Sequence, residues 1–148
     1  MIIRPNAGVD GISFNMRPAE IESVLGTPRS KTLLARSVEA WLYDGMRVHF
    51  DDQSLCHFVE FFEPAIPIVE GIHLFGRWDS VLGGFEDRDL SVRDILIRSR
   101  RYGTLPTGTV ICEALGVAVG REVPQIEDVE SASAFRKGYW NQSEAIRD

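Results

Sequence analysis

Residues 39–62 read EAWLYDGMRVHFDDQSLCHFVEFF, and the fold turns on how this stretch is laid out. It is rich in aromatic and β-branched residues, and Met46, Val48 and Phe50 alternate with Arg47, His49 and Asp51. Alternation with a period of two marks a strand with one buried face. Asp51-Asp52-Gln53-Ser54 is a polar turn, since such side chains bond the backbone locally. Leu55 to Phe62 reads as the return strand, stopped by Pro64 and Pro67. Taken as one continuous strand, 39–51 sets Leu42, Met46, Val48 and Phe50 on one face and Trp41, Tyr43, Arg47, His49 and Asp51 on the other.

Upstream, Pro18 to Leu25 has the marks of a helix. Pro18 suits the first helical position, Glu20 places negative charge in the first turn, and Ile21, Val24 and Leu25 share a face. Gly26 can cap the end and Pro28 forbids continuation. Downstream, an extended run from Ile66 to Phe75 leads to a second expected helix over 77–82, stopped by Gly83-Gly84. The 86–101 stretch reads as a solvated helix face in which Arg88, Arg93, Arg98, Arg100 and Arg101 are balanced by Glu86, Asp87, Asp89 and Asp94. Residues 109–123 read as a strand bent near Leu115-Gly116, followed by a break at Pro124-Gln125, a last strand over 129–135 and a frayed tail over 141–148.

The two halves follow one plan. Gly11-Ile12 leads to Ser23-Val24-Leu25-Gly26, and Gly71-Ile72 leads to Ser80-Val81-Leu82-Gly83. Gly45-Met46-x-Val48 aligns with Gly116-Val117-x-Val119. The expectation is a single domain over 1–148 with internal repeats at 8–66 and 67–140. Its fold class is α+β: two tandem helix-plus-β-hairpin units forming one antiparallel sheet with helices on one face.

Met16, Glu20, Leu25, Gly26 and Pro28 carry a resemblance to the SmpA/OmlA and β-lactamase-inhibitor-protein-like group. In that group a helix ending in a Gly-x-Pro stop precedes aromatic strands; Asn15 and Arg17-Pro18 depart from its pattern. The chain as a whole, ending FRKGYW before its tail, is also similar to small bacterial toxin-immunity proteins. The resemblance implies a plan shared by inhibitors, envelope lipoproteins and immunity proteins, of which a non-enzymatic inhibitor or immunity-type protein is the expectation, since no export pattern favours the lipoproteins.

Composition narrows the classes further. The chain has 148 residues, 44% hydrophobic and 26% charged, with a net charge of -6. That balance fits an ordinary globular protein and argues against general nucleic-acid binding, whose footprint is basic. No apolar run is long enough for a bilayer, and Met1 to Pro5 lacks an export pattern, so a cytoplasmic location is expected. Cys56 and Cys112 form no C-x-x-C pair and read as buried apolar residues. His49, His57 and His73 have no second Cys/His pair at ligand spacing, so no metal site is expected. No phosphate-binding glycine loop occurs, and Asp51-Asp52 and the Glu127-Asp128-Glu130 run lack a partner that would make them catalytic. No cofactor and no catalytic residue are therefore expected.

What stands out is a mixed face of Trp41, Tyr43, Arg47, His49, Phe58 and Glu60, whose aromatic and arginine members are types enriched in protein interfaces. The expectation is a protein partner, a basic toxin or enzyme, occluded by this open sheet face. On that reading, truncating Trp41 or Tyr43 spares the fold; if these side chains instead form a second core, the same truncations destabilise the chain by about 3–5 kcal/mol. The alternative is a small-molecule-binding protein or minor enzyme using the same concave face.

Overall fold

The computed structural model describes residues 1–34, 38–86, 102–104, 109–120 and 131–140. Among these residues fifteen strands and one helix follow in order: β1 Ile2–Arg4, β2 Gly8–Val9, β3 Ile12–Ser13, α1 Pro18–Leu25, β4 Ser30–Leu33, β5 Glu39–Tyr43, β6 Met46–Phe50 and β7 Cys56–Phe61. Then come β8 Ile68–Val69, β9 Ile72–His73, β10 Arg77–Asp79, β11 Gly84–Glu86, β12 Tyr102–Thr104, β13 Val110–Cys112, β14 Val117–Gly120 and β15 Ser131–Phe135. An eight-stranded antiparallel sheet runs β12-β13-β14-β15-β7-β6-β5-β4, a five-stranded sheet runs β3-β2-β1-β8-β9, and β10-β11 is a separate ribbon. Among the described residues, no helix is long and apolar enough to cross a membrane.

The expected α+β architecture, two tandem helix-plus-hairpin units with helices over one face, is therefore corrected to a mostly β one with three sheets. Where the sequence suggested a helix over 77–82, the chain forms β10, a turn and β11. Trp78 pairs with Phe85 across the ribbon, their rings 4.9 Å apart edge to face, and Phe85 leans on Phe75 at 5.5 Å. The Asp79 carboxylate accepts from the Val81 and Leu82 amides at 2.8 and 2.9 Å, and Gly83 takes φ 68°. Trp, Asp, Ser and Val are weak helix formers, and a single turn of helix is a costly nucleus, so the aromatic pair prevails. The tip leaves Val81 93% exposed.

The first helix forms as read. The Arg17 amide donates to the Glu20 carboxylate at 3.1 Å, Ile21 is fully buried, and Gly26 ends the helix at φ 82°. Two hairpins replace single expected strands. Residues 39–51 split at Asp44-Gly45, and 109–120 splits into β13 and β14 around Glu113 to Gly116. The last strand runs 131–135. The expected helix beyond Glu86, residues 121–130 and the tail over 141–148 lie outside the described residues.

The core lies between the large sheet and the five-stranded sheet. One continuous cluster joins Ile3, Val9, Ile12, Val69, Ile72 and Leu74 of the small sheet and its flank to Trp41, Val48, Phe50, Val59, Phe61, Val117 and Ala134 of the large one, with Ile21 of α1. A sheet thus covers the face assigned to helices.

Hydrogen bonds recur between the halves. Phe14 donates to Ala7 at 2.8 Å and Leu74 to Pro67 at 2.9 Å; Asp10 and Glu70 head their turns at φ 49° and 47°. Phe62 donates to Gly45 at 2.9 Å and Phe135 to Gly116 at 3.0 Å, both glycines having positive φ.

The Asp44-Gly45 turn decides which side chains are core. Tyr43 pairs with Met46 and Trp41 with Val48, so Trp41 and Tyr43 share the inner face rather than that of Arg47 and His49. Trp41 is 3% exposed, edge-on to Phe50 at 5.0 Å, and the Tyr43 hydroxyl donates to the Gly26 carbonyl at 2.9 Å. Trp41→Ala is accordingly expected to lower unfolding free energy by about 3–5 kcal/mol, whereas Val81→Ser at the ribbon tip stays within about 0.5 kcal/mol. Urea denaturation checks this, and similar midpoints for the two variants would contradict the core position of Trp41.

Candidate functional site

The outer face of the large sheet carries the site. Strand register places Leu42 beside Arg47, Arg47 beside Glu60, and Glu60 beside Ser133 in one row across β5, β6, β7 and β15. His49 stands opposite Phe58, one step along. Of the six residues singled out in sequence, Arg47, His49, Phe58 and Glu60 are brought together here, while Trp41 and Tyr43 belong to the core. Leu42, which continuous alternation put on the inner face, joins the outer one.

The polar members are held by each other. His49 Nε2 lies 2.5 Å from Glu60 Oε1, and Arg47 Nη1 lies 3.5 Å from the same oxygen. The Arg47 guanidinium packs over Phe62 at 5.2 Å. The hydrogen bond from His49 holds the Glu60 carboxyl below its usual range, against a burial effect that pushes it up, with Arg47 helping. Side-chain exposures of 38% for Arg47, 31% for Glu60 and 15% for His49 leave the first two open to contact.

A bulge shapes one end. Val48 and His49 pair with Val59 and Phe58, but Phe50 pairs with Cys56, so His57 is an extra residue on β7. His57 and Phe58 both reach Tyr139, at 5.1 Å edge to face and 4.7 Å stacked. Tyr139 and Trp140 follow β15 and cover its end of the face, where Ile111, Ala118 and Phe135 form a second small cluster with Phe58 and Trp140. Next to it, Arg136 bonds Asn15 at 2.7 Å and Asp51 at 3.1 Å. Partial burial raises the Asp51 carboxyl, but the Leu55 and Gln53 amides and Arg136 outweigh it and hold it below its usual value. Burial, reinforced by the Arg136 charge, holds His57 below the usual imidazole range.

His49 faces Phe58 rather than Cys56, so the hairpin does not set a histidine opposite that thiol. Burial pushes the Cys56 thiol up to about 12, which removes thiolate chemistry at neutral pH. Among the described residues, no group of three or more His, Cys, Asp or Glu is placed to hold a metal ion. A shallow pocket lined by Leu25, Thr27, Arg29, Tyr43, Asp44 and Met46 lies away from this face. No family model, curated protein or solved structure matches the chain.

Two expectations follow. Cys56 and Cys112, both fully buried, should ignore a thiol reagent at pH 8 in the native chain and react only after denaturation; rapid native labelling would contradict this. The second concerns acid. His57 is lowered, so below about pH 6.5 the unfolded chain takes up the proton first and stability falls. Asp51 and Glu60 are also lowered, so their contribution is complete above the ordinary carboxylate range and is lost as pH falls through the folded values. Urea midpoints should therefore drop in two stages as pH falls from neutral. His57→Gln should remove the upper stage and keep the lower; an unchanged upper stage would rule out His57 as its source.

Proposed function

We propose that this chain is a protein-binding module of inhibitor or immunity type, acting in the cytoplasm by occluding a partner with the outer face of β5, β6 and β7. The observation that carries the reading is an inequality between equivalent places. The repeated hydrogen bonds of Gly45 with Phe62 and Gly116 with Phe135 align Leu42 with Ile111, Arg47 with Ala118, Glu60 with Ser133 and Phe62 with Phe135. These matches also support an internal duplication as the origin of both halves. On the second half the face is buried under the Trp140 turn. On the first, Leu42, Arg47, Glu60 and Phe62 are only partly buried, with His49 and Phe58 more covered beside them.

The chemistry of that row suits a partner surface. Leu42 and Phe62 supply apolar area, and Arg47, with one long contact to Glu60, keeps guanidinium donors for a partner's carbonyl or carboxylate. Glu60, fixed by His49, needs no rearrangement on binding, which lowers the entropic cost of association. The net charge of -6 favours a basic partner in the approach, with Arg47 as a local exception.

Photo-crosslinking in native cells tests the reading. A crosslinker at position 42 or 62 should give one adduct of defined mass, and a crosslinker at the exposed Glu22 on α1 should not. With that partner purified, Arg47→Ala should weaken binding by about 2 kcal/mol, roughly thirtyfold, and change stability by less than about 1 kcal/mol, as for an exposed ion pair. Identical adducts from all three positions, or none at 42 and 62, would refute the face as a partner site.

A further inference from the structure

We propose that two copies of the chain join edge to edge through β4, carrying the large sheet across a two-fold axis at Thr32. Among the described residues β4 is the last strand on its side of the sheet, exposed at every position, with Leu33 73% and the following Leu34 40% exposed. The Leu34 amide donates to the Val38 carbonyl, at 2.5 Å, which makes 34 and 38 a hydrogen-bonded pair. Alternation along an antiparallel ladder then gives Thr32 its bonds to Ala40 and turns the N–H and C=O of Lys31 and Leu33 toward the free edge.

Those outward groups are self-complementary. With Thr32 opposite Thr32 of a second copy, Lys31 falls opposite Leu33 in both directions, and about four main-chain hydrogen bonds form. No like charges are opposed, and a Thr–Thr pair is favourable between strands. Edge strands that stay single are guarded by charges or prolines that face the open side. Here no proline interrupts 30–34. The Lys31 ammonium is drawn back over its own Trp41 ring at 4.4 Å, and Arg29 is paired with Asp44 at 2.6 Å. Among the described residues both cations of this edge, Arg29 and Lys31, are already engaged, so neither brings an unpaired charge to the doubled strand. The pairing also buries Leu33 against the Lys31 stem of the other copy, and it uses the sheet edge rather than the face assigned to a partner.

Sedimentation velocity of the full chain, taken up to high micromolar concentration, tests the proposal. The wild-type chain should shift toward twice the monomer mass as concentration rises. Leu33→Lys, which sets like charges side by side, should stay monomeric with an unchanged thermal melt. Covalent capture gives an independent reading should that variant fold poorly. Cysteines at a close antiparallel pair can bridge, so Thr32→Cys should oxidise to a dimer while Ser30→Cys, which would face Leu34, should not. The buried Cys56 and Cys112 do not compete. A wild-type chain that stays monomeric, a Leu33→Lys chain that still dimerises, or equal capture by the two cysteine variants would overturn the proposal.

Discussion

The ladder between β7 and β15 ties the large sheet together. Phe58 to Phe61 run antiparallel to Ala132 to Phe135 and join two meanders that otherwise share no strand pair. Because side chains alternate, this register decides two surfaces at once. Val59, Phe61, Ala132 and Ala134 enter the core, while Phe58, Glu60, Ser133 and Phe135 turn outward. A slip by one residue would drive Glu60 into the core and expel Phe61, a change that desolvation of a carboxylate forbids. The core therefore fixes the position of the candidate face.

The halves joined at that seam have diverged in bulk. Where the first carries Val59, Phe61, Arg47 and Glu60, the second carries Ala132, Ala134, Ala118 and Ser133. Small side chains on the outer side leave room for Trp140, whose ring meets Phe135 edge to face at 6.1 Å and Tyr139 at 5.0 Å. Such aromatic pairs contribute about 0.5–1.5 kcal/mol beyond their buried area. Long charged side chains on the first half would not admit the same turn.

Local signals in the sequence were readable where the structure is local. Pro18, Glu20 and Gly26 mark α1 because capping is a matter of adjacent residues. Arg47, His49, Phe58 and Glu60 fall on one face because β6 and the part of β7 beyond the His57 bulge alternate regularly. Trp41 and Tyr43 do not, although continuous alternation places them there by ignoring Asp44-Gly45; that dipeptide is itself a hairpin signal, and crossing it reverses the phase of every residue beyond. The helix expected over 77–82, with its Gly83-Gly84 stop, does not form, because Trp78 and Phe85 prefer each other across a ribbon. The bulge at His57 has no local signature, because it reflects the register of a partner strand.

The seam has a consequence for how the protein is made. Its two strands are separated by roughly seventy residues, a long loop to close before any pairing energy is gained. During synthesis β7 emerges with one side paired to β6 and the other bare, and it stays so until β15, roughly seventy residues later, has left the ribosome. In that interval Phe58 and Phe61 lie along an open edge, the kind of surface that recruits neighbouring nascent chains. Translation speed through the second half, and chaperone supply while it lasts, thus become determinants of yield that the finished fold no longer reveals.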